Sequence, residues 1–229
     1  MLGGFGGYLI YIALLMIIPI WAQSKVKNTY KKYSKKATSS YMTGAQVARR
    51  ILDENGLYDV SIEETKGTLS DHYDPRKKVV RLSTGNFHGQ SMAASAVAAH
   101  EVGHAIQDAQ DYAFLRFRSA LVPVANFGSN ISFFLIIGGI LLNLSGLFLF
   151  GIIFMSAAVL FQLVTLPVEF DASNRAMAQL VSSGVIRNNE ERETKKVLNA
   201  AALTYVAAAL VAVAELVRFI LMYVAANNE

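Results

Sequence analysis

The chain has 229 residues, 53% of them apolar, and a formal net charge of +4. An ordinary soluble domain is about 45–50% apolar, so part of this chain is expected to face lipid. The sequence contains no cysteine, which excludes a disulfide framework, an iron–sulfur cluster, a thiol nucleophile and any zinc site with cysteine ligands.

The first segment is apolar, since residues 3–22 carry no charge. About 20 residues, at about 1.5 Å each, cross roughly 30 Å of hydrocarbon, so a transmembrane helix is predicted within residues 1–22. It ends at Trp21 and is followed by six lysines between Lys25 and Lys36, whereas a cleaved signal peptide ends at a small-residue site. The lysines predict contact with anionic lipid headgroups. No basic face of a folded module accompanies them, so nucleic acid is not an expected partner.

A polar block, residues 23–120, follows this first span. Thr43 predicts the N-cap of a helix that ends near Asn55, because the apolar residues between them recur at helical spacing. Val60–Glu64 and Lys78–Ser83 are short runs with alternating apolar positions, which is typical of strands. The block is therefore expected to combine helices with a small sheet.

A membrane hairpin is predicted over residues 121–168, because these 48 residues contain no charge and are about twice the length that one span needs. Its helices are expected at about 121–142 and 147–167. The turn formers Asn143 and Gly146 lie between them and favour a tight loop.

A second polar block, residues 169–197, precedes an apolar stretch over residues 198–229. This last stretch predicts a fourth span, although Glu215 and Arg218 lie three residues apart on one helical face. In a span, such a pair is expected to face the neighbouring helices. The alternative is a core helix of the polar domain.

The basic residues predict the topology, since 20 of the 21 lysines and arginines lie in two blocks, Lys25–Arg118 and Arg175–Lys196. Basic loops are retained in the cytoplasm, so both blocks are expected at the cytoplasmic face of the cell membrane. The hairpin returns the chain to that side. The expected fold class is α+β, mostly helical, with a gluzincin-like domain and three or four transmembrane helices.

The strongest motif is HExxH, which runs from His100 to His104 in a segment of good helix formers. Two histidines four residues apart leave one face of a helix and can share a metal ion, with Glu101 one step round. Zinc held by two neutral imidazoles and a carboxylate activates a water molecule, and an adjacent glutamate, here Glu101, can accept its proton. The alternative is a pair of hydrogen-bonded core histidines.

A third metal ligand is needed, and the motif itself does not supply it. A metzincin would place a histidine where this chain has Gln110, so that class is excluded. Asp108 has a short side chain that cannot readily reach back past His104. A glutamate on a second helix is the gluzincin arrangement, and a second helix is predicted after the hairpin. The candidates left open by the residues are acidic: Asp108, Asp111, Glu169 and Asp171.

Three segments together resemble the YugP-type neutral zinc metallopeptidases of bacterial membranes: HEVGHAIQ at His100–Gln107, VEFDASNRA at Val168–Ala176 and SDHYDP at Ser70–Pro75. The resemblance covers nearly the whole chain. More distantly, the chain is similar to the HtpX-type and CAAX-prenyl endopeptidases, in which a membrane hairpin separates HExxH from a helix with a glutamate ligand. This likeness implies that Glu169 completes a zinc site with both histidines of the motif.

One position departs from those distant relatives. They carry an aspartate four residues after the glutamate, beside a zinc histidine, and this chain has Ser173 there. Ligating imidazoles usually donate their other N–H group to an oxygen. Asp171 or Asn174 is therefore expected to orient the histidine instead.

The resemblance implies a zinc-dependent endopeptidase that hydrolyses protein substrates, with membrane or misfolded proteins expected because the site lies beside the membrane. A zincin would place its upper edge strand at Asp71–Pro75 and Lys78–Ser83, where an extended peptide can add as another strand. His72, Tyr73 and Arg175 are candidates for stabilising a developing oxyanion. The alternative is a membrane scaffold or regulatory subunit that retains a structural zinc without cutting, which the intact HExxH glutamate disfavours.

Overall fold

The computed structural model describes residues 5–228; residues 1–4, where the predicted first span begins, and residue 229 lie outside the described part. The described residues form seven helices and three strands. In chain order these are α1 (Phe5–Tyr33), α2 (Gly44–Glu54), β1 (Ser61–Thr65), β2 (His72–Asp74), β3 (Val79–Ser83), α3 (Thr84–Phe87), α4 (Met92–Ala109), α5 (Ala113–Leu141), α6 (Ser145–Ser182) and α7 (Asn188–Asn227).

The chain divides into two compact units, which share its long helices. The membrane unit comprises Met1–Trp21, Ala113–Pro167 and Tyr205–Glu229. The polar unit comprises Ala22–Tyr112 and Val168–Thr204. Each unit therefore combines segments that are distant in sequence.

Four helices of the described chain are long and apolar enough to cross a membrane: Gly6–Tyr33, Ala113–Leu141, Ser145–Ser182 and Asn188–Asn227. The fold is mostly helical with a small sheet, as predicted, and the number of candidate spans is four. α4, which carries HExxH, is not among them.

In the membrane unit, α5 and α6 form a hairpin with a short turn at residues 142–144. Asn143 has a φ of 52° in this turn, a left-handed conformation that asparagine adopts more readily than most residues. A Cβ added to Gly139 would lie 2.6 Å from the backbone nitrogen of Phe148, and one added to Gly128 would lie 2.7 Å from a backbone oxygen of Phe154. Small residues thus allow the two helices to approach closely.

In the polar unit, α2 begins and ends where the sequence predicts. The backbone N–H group of Gln46 donates to Oγ1 of Thr43 at 3.3 Å, and the backbone N–H group of Thr43 donates to Oε1 of Gln46 at 2.9 Å. This reciprocal capping box satisfies two donors at the helix start. Val47 and Ile51 lie one turn apart and are fully buried.

The sheet has the strand order β1-β3-β2, with β1 parallel and β2 antiparallel to β3. The expected edge strand at Asp71–Pro75 and Lys78–Ser83 is correct only for its first part, because Val79–Ser83 is the central strand and pairs on both sides. β2, which lies within Asp71–Pro75, is at one edge of the sheet, and β1 is at the other. The three residues of β2, His72–Asp74, are too few to give an alternating pattern, so periodicity alone did not predict this strand.

The polar unit's core joins α4 to the final turns of α6. On α6, Val168, Ala172 and Ala176 lie four residues apart and are fully buried, so they form one face. A Cβ added to Gly103 would lie only 2.6 Å from the backbone oxygen of Ala172. The glycine between the two histidines therefore allows α4 to contact the backbone of α6 directly.

Candidate metal centre

The close contact between α4 and α6 brings His100, His104 and Glu169 together. Oε2 of Glu169 lies 3.2 Å from Nε2 of His100 and 3.6 Å from Nε2 of His104. The potential ligand atoms of the three side chains all lie within 4.8 Å of one another, close enough to hold one metal ion. Glu169 is 3% exposed, and both histidines are partly buried.

The donor set fits zinc, because two imidazole nitrogens and a carboxylate oxygen are among its usual ligands. The outer ring nitrogens of the histidines are occupied. Nδ1 of His104 lies 3.0 Å from Oε1 of Gln107, and Nδ1 of His100 lies 3.2 Å from Oγ of Ser173. An amide oxygen can only accept, so Nδ1 of His104 donates to Gln107, and Nε2 of the same ring faces Glu169.

These contacts correct the prediction that Asp171 or Asn174 orients a histidine directly. Ser173 itself contacts His100, and Gln107 contacts His104. A hydroxyl can replace a carboxylate here because it can accept the N–H hydrogen bond. Each partner follows a residue of the site at helical spacing: Gln107 lies three residues after His104, and Ser173 lies four residues after Glu169. This spacing is the signal that could have identified them.

Asp171 contacts Gln107, which in turn contacts His104. Nε2 of Gln107 donates to Oδ2 of Asp171 at 2.8 Å and to the backbone oxygen of Val168 at 2.8 Å. Arg175 donates from Nε to the same carboxylate and from Nη1 to Gln110 at 2.6 Å. The amide of Gln107 is therefore fixed in the orientation that directs its oxygen toward the imidazole.

The other residues considered from the sequence lie in different surroundings. Asp108 accepts a hydrogen bond from the hydroxyl of Tyr73 at 2.9 Å. His72 is exposed and lies 3.4 Å from Arg81, and the exposed His88 contacts Glu64. Of the sequence's candidate ligands, only Glu169 joins the histidines in a potential metal group among the described residues.

Glu101 follows His100 on α4 and is 8% exposed. Burial raises the pKa of this carboxyl to about 7, with a further contribution from the charges of Asp71 and Glu169. The charge of His100 and the backbone N–H group of Tyr73, which donates to the carboxyl, lower the pKa in part. A carboxyl in this range can gain and lose a proton near neutral pH.

The pKa of Glu169 shifts in the opposite direction, downward. Burial alone raises its pKa, but hydrogen bonds and charge from His100 and His104 outweigh burial and bring the pKa well below its usual range. Two neighbouring glutamates, 101 and 169, are thus pushed in opposite directions by their surroundings. Such a separation is typical of sites in which one carboxyl exchanges a proton and another stays ionised.

The model of a protein family described as "Putative neutral zinc metallopeptidase" matches residues 8–224. The chain belongs to this family. A relative from Bacillus subtilis (strain 168), named "Putative membrane protease YugP", is 55% identical over 212 residues, which cover 93% of this chain and 94% of the relative. No solved structure matches the chain.

The family membership confirms the resemblance inferred from the sequence. Zinc is the metal of this family, and the group formed by His100, His104 and Glu169 offers a suitable set of ligands. The name of the relative and the four apolar helices indicate a membrane protein.

Proposed function

We propose that this family member is a zinc-dependent endopeptidase that hydrolyses peptide bonds of protein substrates at the cytoplasmic face of the cell membrane. One observation carries the proposal. The ligand atoms of two imidazoles and the ionised Glu169 lie within 4.8 Å of one another, and Glu101, a buried glutamate of raised pKa, lies beside them on α4. His100, His104 and Glu169 would hold the zinc. Glu101 would be the proton carrier.

Bound zinc supplies a Lewis acid and lowers the pKa of water at the site. Glu101 accepts a proton from the attacking water and returns it to the leaving amine. Its burial makes both transfers feasible near neutral pH, since an exposed glutamate would be too weak a base to take the proton readily. Ser173 and Gln107 hold the imidazoles in the orientation that keeps both Nε2 atoms directed inward.

A substrate peptide is proposed to bind beside β2. This edge strand reaches the site, since the backbone N–H group of Tyr73 donates to the carboxyl of Glu101. The opposite edge of β2 pairs with β3. An extended peptide could add alongside such a strand, so that backbone hydrogen bonds hold it next to the proton carrier.

The cytoplasmic location is supported by the lysine-rich end of α1, which includes Lys31 and Lys32 in its last turn. Anionic headgroups are the proposed partner of this run. Lys36 has an additional role, because its ammonium group binds Glu193 at 2.7 Å and joins the start of the polar unit to α7.

The test measures zinc content and cleavage of an unfolded protein substrate by the purified full-length chain. Glu101→Gln is expected to keep about one zinc per chain and to lose roughly 10²- to 10⁴-fold in cleavage rate, the usual contribution of a general base. Glu169→Ala is expected to lose zinc, and Asp171→Ala to retain it at reduced affinity. Loss of metal in the Asp171 variant alone would overturn the choice of ligand.

The alternative is a scaffold that binds zinc without cutting. It predicts zinc in the wild-type protein but no substrate cleavage that depends on Glu101. Cleavage at an unchanged rate in Glu101→Gln would exclude Glu101 as the proton carrier and so contradict the proposed mechanism.

A further inference from the structure

β2 is the shortest of the described strands. It has three residues and lies at an edge of the sheet, where it pairs with β3. Strands of globular proteins usually have about five or six residues. A ladder of three pairs gives a strand little support, so contacts of the neighbouring side chains decide how firmly β2 is held. The peptide proposed to bind beside β2 depends on that support, because an added strand needs a fixed edge.

Asp71 directly precedes β2 and accepts hydrogen bonds from the end of β3 and from α3. Its Oδ1 accepts from the backbone N–H group of Ser83 at 2.7 Å, and the Ser83 hydroxyl lies 3.1 Å from both carboxylate oxygens. Its Oδ2 accepts from Nδ2 of Asn86 at 2.9 Å. His72 is opposite Arg81 in the ladder, so these contacts lie beyond its last pair and extend it. Hydrogen bonds to a carboxylate are roughly twice as strong as those between neutral groups.

The groups that hold Asp71 are themselves buried and fixed. Ser83 is 1% exposed and Asn86 is fully buried. Oδ1 of Asn86 accepts a hydrogen bond from the hydroxyl of Tyr30 at 2.9 Å, so both ends of the amide are engaged and its orientation is fixed. Tyr30 lies in the last turns of α1. Tyr30, Asp71, Ser83 and Asn86, called the Asp71 network, thus join α1 and α3 to the start of β2.

β2 also contacts α4, the helix that carries HExxH. The backbone N–H group of Tyr73 donates to the carboxyl of Glu101, and the Tyr73 hydroxyl donates to Oδ2 of Asp108 at 2.9 Å. Tyr73 is two residues after Asp71, about 7 Å along an extended chain. A shift of Asp71 would therefore move the strand edge relative to Glu101, the proposed proton carrier.

We propose that Asp71 is a positioning residue for the substrate: the Asp71 network fixes β2 against α4, so that the edge of this strand can pair with an extended peptide. Asp71 acts through β2 and not on the reacting atoms. This role rests on the proposed function, because that function places the substrate beside β2. Loss of the network is expected to weaken peptide binding and to leave the zinc site and the chemical step unchanged.

The experiment measures peptide binding separately from cleavage, on full-length Glu101→Gln, which is expected to keep zinc and to cut slowly. The probe is a fluorescein-labelled peptide of about ten alternating threonine and alanine residues, and fluorescence anisotropy gives its Kd. The control peptide has the same sequence with methylated backbone nitrogens, so it has no N–H donors for strand pairing. We expect the unmethylated peptide to bind at least tenfold more tightly. Equal affinity for both peptides, or no binding of either, would overturn the proposal.

Asp71→Asn, added to the same protein, is expected to weaken binding of the unmethylated peptide about fivefold. Asparagine has one acceptor oxygen, and its NH₂ group would meet the donors of Ser83 and Asn86. Zinc content and binding of the methylated peptide should not change, whereas general damage to the fold would reduce both. Asp59→Asn is the matched control, because this carboxylate is exposed and binds Lys78 at 2.6 Å. Unchanged affinity in Asp71→Asn would contradict the role of Asp71.

Tyr30→Phe removes the hydroxyl that holds Asn86 and is expected to weaken binding about threefold. Combined with Asp71→Asn, it should add little further loss, because residues of one hydrogen-bond network are not additive. Tyr58→Phe, at a position 74% exposed, is its control. If Asp71→Asn loses zinc or fails to fold, Tyr30→Phe decides the question, and an affinity equal to that of Tyr58→Phe would overturn the proposal.

Cleavage distinguishes this role from the proposed function. In the protein with Glu101 intact, Asp71→Asn is expected to raise KM about fivefold and to leave kcat within about twofold, as for a lost binding contact. A lowered kcat at unchanged KM would contradict a positioning role. A wild-type protein that cleaves no substrate contradicts the proposed function alone, because the peptide affinities still decide whether Asp71 positions β2.

Discussion

At the scale of single residues, the two histidines of the proposed metal centre are held by different kinds of side chain. Ser173 contacts His100 from α6, whereas Gln107 contacts His104 from the same helix. Gln107 is fully buried, and its amide group is fixed by Asp171 and a backbone oxygen. Partners of this kind typically tune metal affinity without touching the metal.

We therefore predict that Gln107→Met, which retains the side-chain volume, weakens zinc binding about 10- to 100-fold. Competition with a chelator measures the affinity. Gln179→Met is the matched control, since Gln179 is also a glutamine of the polar unit but contacts Asn55 instead of the histidines. Equal zinc affinity in Gln107→Met and the wild-type protein would show that the contact with His104 does not orient the imidazole.

A second prediction concerns Gly103. Because an added Cβ would lie 2.6 Å from a backbone oxygen of Ala172, Gly103→Ala must push α4 away from α6. We expect a loss of about 1–3 kcal/mol in unfolding free energy, as is typical of overpacked cores, together with a reduced zinc content. Gly85→Ala is the control, because its new Cβ would meet the hydroxyl of Tyr30 at an ordinary 3.5 Å. Thermal unfolding and metal analysis of both variants provide the measurement.

At the scale of helices and strands, α6 is the element that positions Glu169, the proposed third ligand. It extends without interruption from Ser145 to Ser182, through the uncharged hairpin and into the polar unit. The buried face formed by Val168, Ala172 and Ala176 sets its rotation, so that Glu169 is directed toward α4. The first turn of α7 has a comparable structural role at the other end of the second polar block.

Glu190 in that turn is 6% exposed and joins α7 to the segment before α2. Its carboxylate accepts hydrogen bonds from the backbone N–H group of Ser39 at 2.8 Å, from the Ser39 hydroxyl at 2.6 Å, and from the backbone N–H group of Arg187 at 2.8 Å. Burial raises the pKa of Glu190, but the hydrogen bonds together lower the pKa by more than burial raises it, so the folded-state pKa lies below the ordinary 4.5.

A lowered folded-state pKa stabilises the protein above the unfolded-state value, and this stabilisation is lost as the pH falls through the folded-state pKa. Glu190→Gln is therefore predicted to cost about 2 kcal/mol at pH 7, and the difference from the wild-type protein should shrink below about pH 4.5. Glu191→Gln removes the same charge one residue along and is the control. Melting temperatures across this pH range test the prediction, and a difference that does not vary with pH would contradict it.

At the scale of the whole molecule, the proposed cytoplasmic site requires that the α5–α6 turn and the lysine-rich end of α1 lie on opposite sides of the membrane. The chain has no cysteine, so single cysteines can be introduced without background labelling. Leu144, in the turn, is 52% exposed, and Lys35, after α1, is also exposed.

We predict that a membrane-impermeant maleimide labels Leu144→Cys in intact cells. It should label Lys35→Cys only after the membrane has been opened, because basic segments stay on the cytoplasmic side. The cysteine-free wild-type protein controls for nonspecific labelling. The reverse pattern would place the proposed metal centre outside the cell.

The sequence by itself determined the features that depend on local patterns. Apolar stretches long enough to cross a bilayer predicted the membrane helices, because hydrocarbon thickness sets their length. The spacing of His100 and His104 placed both on one helix face, and the capping residue Thr43 predicted the start of α2. These features follow from a few neighbouring residues and need no knowledge of the rest of the fold.

Only the tertiary structure decided the features that join distant segments. It brought Glu169 to within 3.2 Å of His100, 69 residues earlier, and left Asp108 and Asp171 hydrogen-bonded elsewhere. It also made Val79–Ser83 the central strand of the sheet. The physical reason is that these contacts depend on how two helices pack through Gly103 and a buried alanine face, and packing between distant segments leaves no periodic signal in the sequence.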